Sequence, residues 1–122
     1  MIKREYYMKQ IRPFIGKDIV KVLTGMRRCG KSVMMELLQA ELKNGGIRLE
    51  QILSLNFEDL SNADLCDAVS LNNWVQERAK EIDGKVYLFL DEIQEVQGWE
   101  KVINSLRVSM DIDIYVTGSN AK

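Results

Sequence analysis

Short apolar runs alternate with segments of helical periodicity along this chain. Four runs rich in aliphatic and β-branched residues predict strands, and the third of them is nearly all apolar and is therefore expected to be buried on both faces. These runs cover residues 18–24, 52–57, 86–90 and 112–117. Between them, apolar residues recur at the spacing of amphipathic helices. The alternation of strand and helix predicts an α/β fold with a mainly parallel sheet.

The chain length of 122 residues indicates one domain or part of one. We interpret residues 1–16 as an N-terminal helix that Pro13 disturbs, and residues 17–122 as the core. The fourth predicted strand ends at Thr117 with no covering helix after it. Because a parallel sheet needs helices on both faces, we expect the N-terminal part of a longer domain, truncated after strand 4.

The composition excludes several classes of protein. A net charge of −1 gives no global basic field for binding nucleic acid. The apolar runs are too short to span a membrane, and no signal peptide is visible. Cys29 and Cys66 stand apart and form no disulfide or metal framework, so we expect a cytoplasmic protein with no membrane partner. The absence of histidine removes the commonest general base and metal ligand.

A phosphate-binding pattern lies between the first predicted strand and the next helix. Residues 25–32 read Gly-Met-Arg-Arg-Cys-Gly-Lys-Ser, which is a glycine, four free positions and then Gly-Lys-Ser. Successive backbone N–H groups and the helix N-terminus would bind phosphate there. The predicted nucleotide-binding residues are Gly25, Met26, Arg27, Arg28, Cys29, Gly30, Lys31, Ser32 and Val33.

Two acids, Asp91 and Glu92, follow the third predicted strand. Ligands of an open parallel sheet bind beyond the carboxyl ends of its strands, so Asp91 and Lys31 are expected at one crevice. Lys31 would bring its charge to the outer phosphates, and Ser32 and Asp91 would hold Mg²⁺. Glu92 would act as the general base on the attacking water. Taken alone, the two acids are also compatible with a strand that ends in a solvated loop.

Two asparagines are further candidates for the same site. Asn120 follows the fourth strand, where its amide would reach the γ-phosphate or the attacking water. The alternative is an asparagine that the turn selects for its backbone tolerance. Asn56 ends the second strand and would hydrogen-bond Glu92, holding this base away from water as a switch. The alternative is that Asn56 starts the turn before Glu58.

The order of these motifs resembles the AAA+ branch of the P-loop ATPases. Residues 25–32 match its Walker A loop, residues 86–92 its Walker B strand and residues 117–120 its sensor 1 tip. The forms Thr-Gly-Met-Arg-Arg-Cys-Gly-Lys-Ser, Leu-Asp-Glu-Ile-Gln and Val-Thr-Gly-Ser-Asn are similar to AAA family 14, prokaryotic ATPases that commonly carry a C-terminal domain. The resemblance implies a three-layer P-loop NTPase sandwich of the additional-strand type, with sheet order 5-1-4-3-2.

The resemblance also implies a function, namely ATP binding and Mg²⁺-dependent ATP hydrolysis, with a homo-oligomer as an option for the full-length form. The lid with its sensor 2 residue and an arginine finger would lie beyond residue 122, so we expect weak binding and little turnover by these residues alone. An arginine finger is worth ~10³–10⁵ in rate in related enzymes. Alternatives are a nucleotide-gated interaction module, a DNA-associated scaffold or a GTPase. The GTPase is disfavoured because no Asn-Lys-x-Asp element is present.

Overall fold

The computed structural model describes residues 21–23 and 31–118, and within them strands and helices alternate as the sequence predicts. The strands are β1 (Lys21–Leu23), β2 (Ile52–Asn56), β3 (Val86–Asp91) and β4 (Ile112–Thr117). The helices are α1 (Lys31–Asn44), α2 (Ala68–Ala79) and α3 (Trp99–Ser109). The N-terminal helix predicted for residues 1–16 lies outside the described residues.

The four strands form one sheet in the order β1-β4-β3-β2, and all three strand pairs are parallel. The prediction of a parallel α/β sheet is therefore confirmed. The order also reproduces the 1-4-3-2 part of the arrangement that the resemblance implies. Since the strands are parallel, their carboxyl ends lie along one edge of the sheet, with Leu23 of β1 paired with Thr117 and Asn56 of β2 paired with Asp91.

The two faces of the sheet are covered by different helices. Alternate residues of β3 divide between the faces: Val86, Leu88 and Leu90 pack in a core that includes residues of α2 and α3. Tyr87 and Phe89 pack instead with residues of α1. This arrangement of helix, sheet and helices is the predicted three-layer sandwich. Burial on both faces explains why β3 is almost continuously apolar.

An aromatic stack strengthens the face that α1 covers. The rings of Phe89 and Tyr115 lie 4.5 Å apart between centroids and are inclined by 3°. These two side chains belong to the adjacent strands β3 and β4, where they occupy paired positions. Such a cross-strand aromatic pair contributes roughly 0.5–1.5 kcal/mol beyond the area it buries. It therefore helps to fix the register of the two strands that carry the polar residues at the sheet edge.

The amino ends of β3 and β4 form a separate polar group. Lys85 Nζ lies 2.7 Å from Asp111 Oδ1, and Tyr115 donates a hydrogen bond of 2.6 Å to Asp113. Burial by itself lowers the pKa of Lys85, but the hydrogen bond and charge of Asp111 outweigh it, so the pKa is raised overall. Burial, and then the charge of Asp113, raise the pKa of Tyr87. These contacts stabilise the end of the sheet opposite the predicted site.

Local signals set the ends of the helices. Helix α1 stops at Asn44 because the chain turns through Gly46, whose φ of 100° lies in the left-handed region that glycine favours. Helix α2 begins after Asp67, whose carboxylate accepts from the backbone N–H of Ser70 at 3.1 Å. Within residues 31–118, no helix has the combination of length and apolar character that crossing a bilayer requires.

Candidate functional site

The carboxyl ends of β3 and β4 bring three polar side chains together in the interior. The Thr117 hydroxyl donates to the carboxylate of Asp91 and accepts from the backbone N–H of Glu92 at 2.9 Å. Thr117 has no exposed surface, and Asp91 and Glu92 are each 7 % exposed. The acids therefore lie in a largely buried, hydrogen-bonded setting rather than in an open solvated loop. This burial distinguishes the site from an ordinary strand end.

Glu92 has an unusual backbone conformation. Its φ of 60° and ψ of 56° are left-handed, and it is the one non-glycine residue with positive φ in the described part of the chain. A left-handed residue with a Cβ costs roughly 1–2 kcal/mol. Such strain persists only where the surroundings impose it, and it is concentrated at functional sites. Here the turn leads directly into the 3₁₀ helix Ile93–Glu95, whose Ile93 is anchored in the core.

This turn also places Gln94 beside Glu92. The amide Nε2 of Gln94 donates to Glu92 Oε1 at 2.7 Å. On its other side, the amide of Gln94 faces Gly118 at the end of β4: a Cβ built on Gly118 would lie 3.0 Å from Gln94 Oε1. The sequence pattern did not single out Gln94 for a role. Its only signal was its place two residues after the predicted base, within residues 90–94.

Asn56 occupies the position expected of it but makes a different contact. It is paired with Asp91 across the two strands. Its Oδ1 accepts from the backbone N–H of Glu58 at 2.9 Å, which is the turn-starting role that the sequence left open. Its backbone carbonyl accepts from Asn62 Nδ2 at 2.9 Å. Among the hydrogen bonds of the described residues, Gln94 supplies a side-chain amide to Glu92, and the role of Asn56 as a switch stays a prediction without a supporting contact.

A cavity of about 170 Å³ adjoins Asp91 between α1 and the carboxyl ends of β2 and β3. It is lined by Met35, Glu36, Gln39, Ser54, Leu55, Asn56 and Asp91. Gln39 Nε2 donates to Ser54 Oγ at 3.4 Å across one wall. Sites for whole small-molecule ligands usually measure ~300–1,000 Å³. The cavity is thus large enough for water and ions next to Asp91 and too small for a complete nucleotide.

The predicted phosphate loop is bounded by two elements whose positions are known. Strand β1 ends at Leu23, opposite Thr117, and α1 begins at Lys31. The loop therefore joins the carboxyl end of β1 to the N-terminus of a helix that packs on the sheet. Of the predicted loop residues, Gly25, Met26, Arg27, Arg28, Cys29 and Gly30 lie outside the described residues, as does Asn120. Lys31 and Ser32 are described for their helical backbone, and Val33 is half-buried.

The residues at this edge suit magnesium better than a metal that needs a protein cage. Among residues 33–118, no cluster of three or more histidine, cysteine, aspartate or glutamate side chains could hold an ion. Magnesium is commonly bound through one or two carboxylates, together with water and substrate phosphates. Asp91, with a polar cavity beside it, offers a carboxylate of this kind. Its oxygen chemistry fits the magnesium predicted for Asp91 and Ser32.

Comparison with known proteins agrees with this fold. The chain is 44 % identical over 121 residues to an uncharacterized protein of Haemophilus influenzae, covering 99 % of the chain and 30 % of that protein. It is 31 % identical over 104 residues to an uncharacterized protein of Methanocaldococcus jannaschii, covering 84 % of the chain and 22 % of that protein. The chain thus spans less than a third of the length of these relatives. No solved structure matches it.

A family model gives the assignment. The model described as "AAA domain", that of AAA family 14, matches residues 17–122. The match includes every strand and helix that the structure describes, together with the polar edge formed by Asp91, Glu92 and Thr117. The resemblance inferred from the motifs is confirmed, and the chain belongs to the AAA domain family.

Proposed function

We propose that the nucleotide site of this chain binds ATP with Mg²⁺, and that the full-length protein hydrolyses the bond to the γ-phosphate. The AAA domain family implies nucleotide binding of the ATPase type, for which Mg²⁺ is the usual metal. The proposal of Mg²⁺-dependent hydrolysis rests on one observation. Two buried acids, Asp91 and Glu92, are held by Thr117 at the carboxyl end of β3. This is the edge at which an open parallel sheet binds its ligands.

The loop from Gly25 to Val33 would hold the phosphates. It runs from the end of β1 to the start of α1, so its backbone N–H groups and the helix N-terminus would face the same edge as Asp91. In this proposal Lys31 compensates the negative charge of the outer phosphates. Ser32 supplies a hydroxyl ligand to Mg²⁺, and Asp91 supplies the carboxylate.

Glu92 is the proposed general base. Its carboxylate would accept a proton from the attacking water, which is the role that a positioned acid performs in hydrolysis. Asn120 is proposed to orient this water or the γ-phosphate. Bound Mg²⁺ would offset the charge that develops on the phosphate oxygens. The chain's own contribution is to fix the two acids side by side in an environment with little water.

The phosphate loop is tested by calorimetry of ATP binding in the presence of Mg²⁺. The variant Lys31→Ala is expected to abolish binding, because the charge that reaches the outer phosphates is removed. Lys43→Ala is the matched control, since Lys43 is an exposed lysine in the last turn of the same helix. Equal affinity in Lys31→Ala and wild type would contradict the assignment of the loop.

The base is tested by Glu92→Gln, with Glu95→Gln as control because Glu95 is an exposed acid of the same turn. In the full-length protein, we expect Glu92→Gln to keep its ATP affinity and lose hydrolysis, as measured by phosphate release in single-turnover reactions. Unchanged turnover would exclude Glu92 as the base. The same measurements with GTP test the substrate, and stronger binding of GTP than of ATP would contradict the proposal.

A nucleotide-gated interaction module is the alternative function. It would bind Mg²⁺–ATP through the same loop but show no turnover that depends on Glu92. The DNA-associated scaffold receives no support from the net charge of −1. The target of the whole protein and its assembly into a homo-oligomer belong to the proposal as well, because the chain covers only part of its relatives.

A further inference from the structure

We propose that Gln94 is a positioning residue for Glu92, and that Gly118 at the end of β4 leaves the Gln94 amide the space to reach it. The inference rests on the proposed function, in which Glu92 acts as the base. The motifs do not single out Gln94, which lies in the turn after β3. The inference adds this residue to the site, together with Gly118 at the end of the neighbouring strand.

The side-chain amide of Gln94 is hydrogen-bonded directly to the carboxylate of Glu92. Gln94 Nε2 and Glu92 Oε1 are separated by 2.7 Å, and the Glu92 residue is 7 % exposed. The backbone N–H of Glu92 is fixed by Thr117, but this bond restrains only the main chain. A glutamate side chain has three rotatable bonds beyond its Cα. The bond from Gln94 therefore supplies a restraint at the carboxylate end, where a base has to be oriented.

The turn after β3 brings Gln94 back toward Glu92. The left-handed Glu92 and the 3₁₀ helix Ile93–Glu95 fold the chain back within two residues. Ile93 is 3 % exposed and anchors the turn in the core, whereas Gln94 projects from the exposed side of the same turn. The local backbone therefore holds residue 94 close to residue 92. Because the Gln94 side chain is exposed, its contact with Glu92 is not needed for stability, which favours a functional reason for the contact.

Gly118 lies close to the amide of Gln94. The backbone of Gly118 lies outside the left-handed region, so its conformation does not itself demand glycine. The space beside it is limited by Gln94: a Cβ at position 118 would approach Gln94 Oε1 to 3.0 Å, closer than ordinary contacts. A side chain at position 118 would therefore displace the Gln94 amide by a few tenths of an ångström, away from its position beside Glu92.

These contacts predict a specific kinetic effect. Loss of the Gln94 amide should lower kcat for ATP hydrolysis roughly 10- to 100-fold, because a misplaced base loses part of its contribution. KM and the dissociation constant for Mg²⁺–ATP should stay within about twofold, since binding energy comes from the loop and the metal. A split between kcat and KM separates positioning from general damage to the fold.

The decisive comparison uses side chains of similar size at position 94. Gln94→Leu removes the donor, and Gln94→Glu replaces it with a second carboxylate, so we expect kcat to fall in both and further in Gln94→Glu. Gln94→Lys restores N–H donors and should recover part of the loss. Gln97→Leu and Gln97→Glu are the matched controls, because Gln97 is an exposed glutamine three residues away. Equal kcat values in all Gln94 variants and wild type, or a rise in kcat in Gln94→Leu, would overturn the inference.

A second experiment does not depend on turnover. In ¹⁵N-labelled chain, the side-chain amide signals of Gln94 should shift in Gly118→Ala, because the added methyl group displaces the amide. They should also shift in Glu92→Gln, which changes the acceptor. Gly45→Ala is the control, since its added Cβ would meet its nearest neighbours at an ordinary 3.5 Å. Unshifted Gln94 signals in Gly118→Ala would overturn the inference.

The two experiments separate this inference from the proposed function. Full turnover in Glu92→Gln would remove the base and with it the reason for positioning, which is a failure of the proposed function. Lost turnover in Glu92→Gln together with wild-type kcat in Gln94→Leu and Gln94→Glu would leave the base in place and reject Gln94 alone.

Discussion

Thr117 and Asp91 are joined by a hydrogen bond from the threonine hydroxyl to the carboxylate, between neighbouring strands of the sheet. The same hydroxyl accepts the backbone N–H of Glu92. One fully buried side chain of β4 thus uses both its donor and an acceptor position to order the two acids that end β3. We therefore regard Thr117 as part of the site, although the sequence pattern included it only as the start of the polar tip after β4.

Replacing Thr117 by valine tests this relationship, because valine keeps the shape and removes the hydroxyl. We expect Thr117→Val to lower the free energy of unfolding by roughly 1–3 kcal/mol, since it removes one hydrogen bond from a buried carboxylate and another from a buried backbone N–H. Urea denaturation measures this loss. A higher Mg²⁺ concentration for half-maximal ATP binding should accompany it, because Asp91 is no longer fixed.

Thr117→Ser is the control for that change. Serine retains the donor and acceptor and should recover most of the magnesium dependence, with a smaller loss of stability from the missing methyl group. If the valine and serine variants behaved alike in the magnesium titration, the hydroxyl would have no part in ordering Asp91.

Asn56 provides a test between its two interpretations. In the structure its Oδ1 accepts from the backbone N–H of Glu58, so Asn56→Ala should reduce the free energy of unfolding by about 0.5–1.5 kcal/mol through loss of one hydrogen bond. Asn56→Ser should recover part of it, and kcat should not change in either variant. An increase in basal ATP hydrolysis in Asn56→Ala would instead support the switch role that the sequence suggested.

Helix α3 offers a matched pair for the core. Leu106 has no exposed surface, and Val108, two residues later, is 85 % exposed. Leu106→Ala should lower the free energy of unfolding by roughly 2–5 kcal/mol, because it leaves a cavity under the sheet. Val108→Ala should change it by less than about 0.5 kcal/mol. Similar losses in the two variants would mean that α3 does not pack on the sheet through the Leu106 face.

The Lys85–Asp111 pair predicts a dependence of stability on alkaline pH. The pKa of Lys85 is raised in the folded protein above its ordinary value of 10.5. Folding therefore favours the protonated amine, and the contribution of the pair is complete below about pH 10.5 and is lost as the pH rises through the folded pKa. Lys85→Met should cost about 0.2–1 kcal/mol near pH 8, and its difference from wild type should shrink in strongly alkaline solution.

Lys80→Met is the control for this experiment, because Lys80 forms an exposed ion pair with Glu77 on the surface of the protein. Its difference from wild type should be close to zero throughout the pH range. Tyr87 also has a raised pKa, which the charge of Lys85 partly lowers, so the chains are compared in a Tyr87→Phe background. If the stability difference between Lys85→Met and wild type grew in strongly alkaline solution, the pair would not stabilise the folded protein through the protonated amine.

The fold could be predicted from the sequence because its strands and helices have strong and different periodicities. The apolar run Val86–Leu90 could only be a strand buried on both faces, and the structure places it between two helical layers. The end of α1 is likewise set by a local signal, the turn through Gly46 after Asn44. The position of Asp91 and Glu92 at the carboxyl edge followed from strand polarity alone.

The partner of Glu92 could not be predicted in the same way. It depends on a left-handed backbone at Glu92 and on a short 3₁₀ helix, and neither leaves a periodic signal in the sequence. Strand order placed Asn56 near the acids, which was correct for its pairing with Asp91. Which amide contacts Glu92 depends on the rotation of a few side-chain dihedral angles. The Asn56 side chain instead accepts a hydrogen bond within its own local turn.

The position of β4 between β1 and β3 has a consequence for the order of folding during synthesis. Among the described strands, β1 pairs with β4 alone, since Lys21 pairs with Tyr115 and Leu23 with Thr117. These partners are separated by almost the entire described chain, so the pairing closes a very long loop and is expected to be slow. On the ribosome, the strand that precedes the phosphate loop is made early but cannot dock until residue 117 has left the exit tunnel. Under the proposed function, an incomplete chain would therefore have no assembled nucleotide site, and ATP would not stabilise it until β4 is in place.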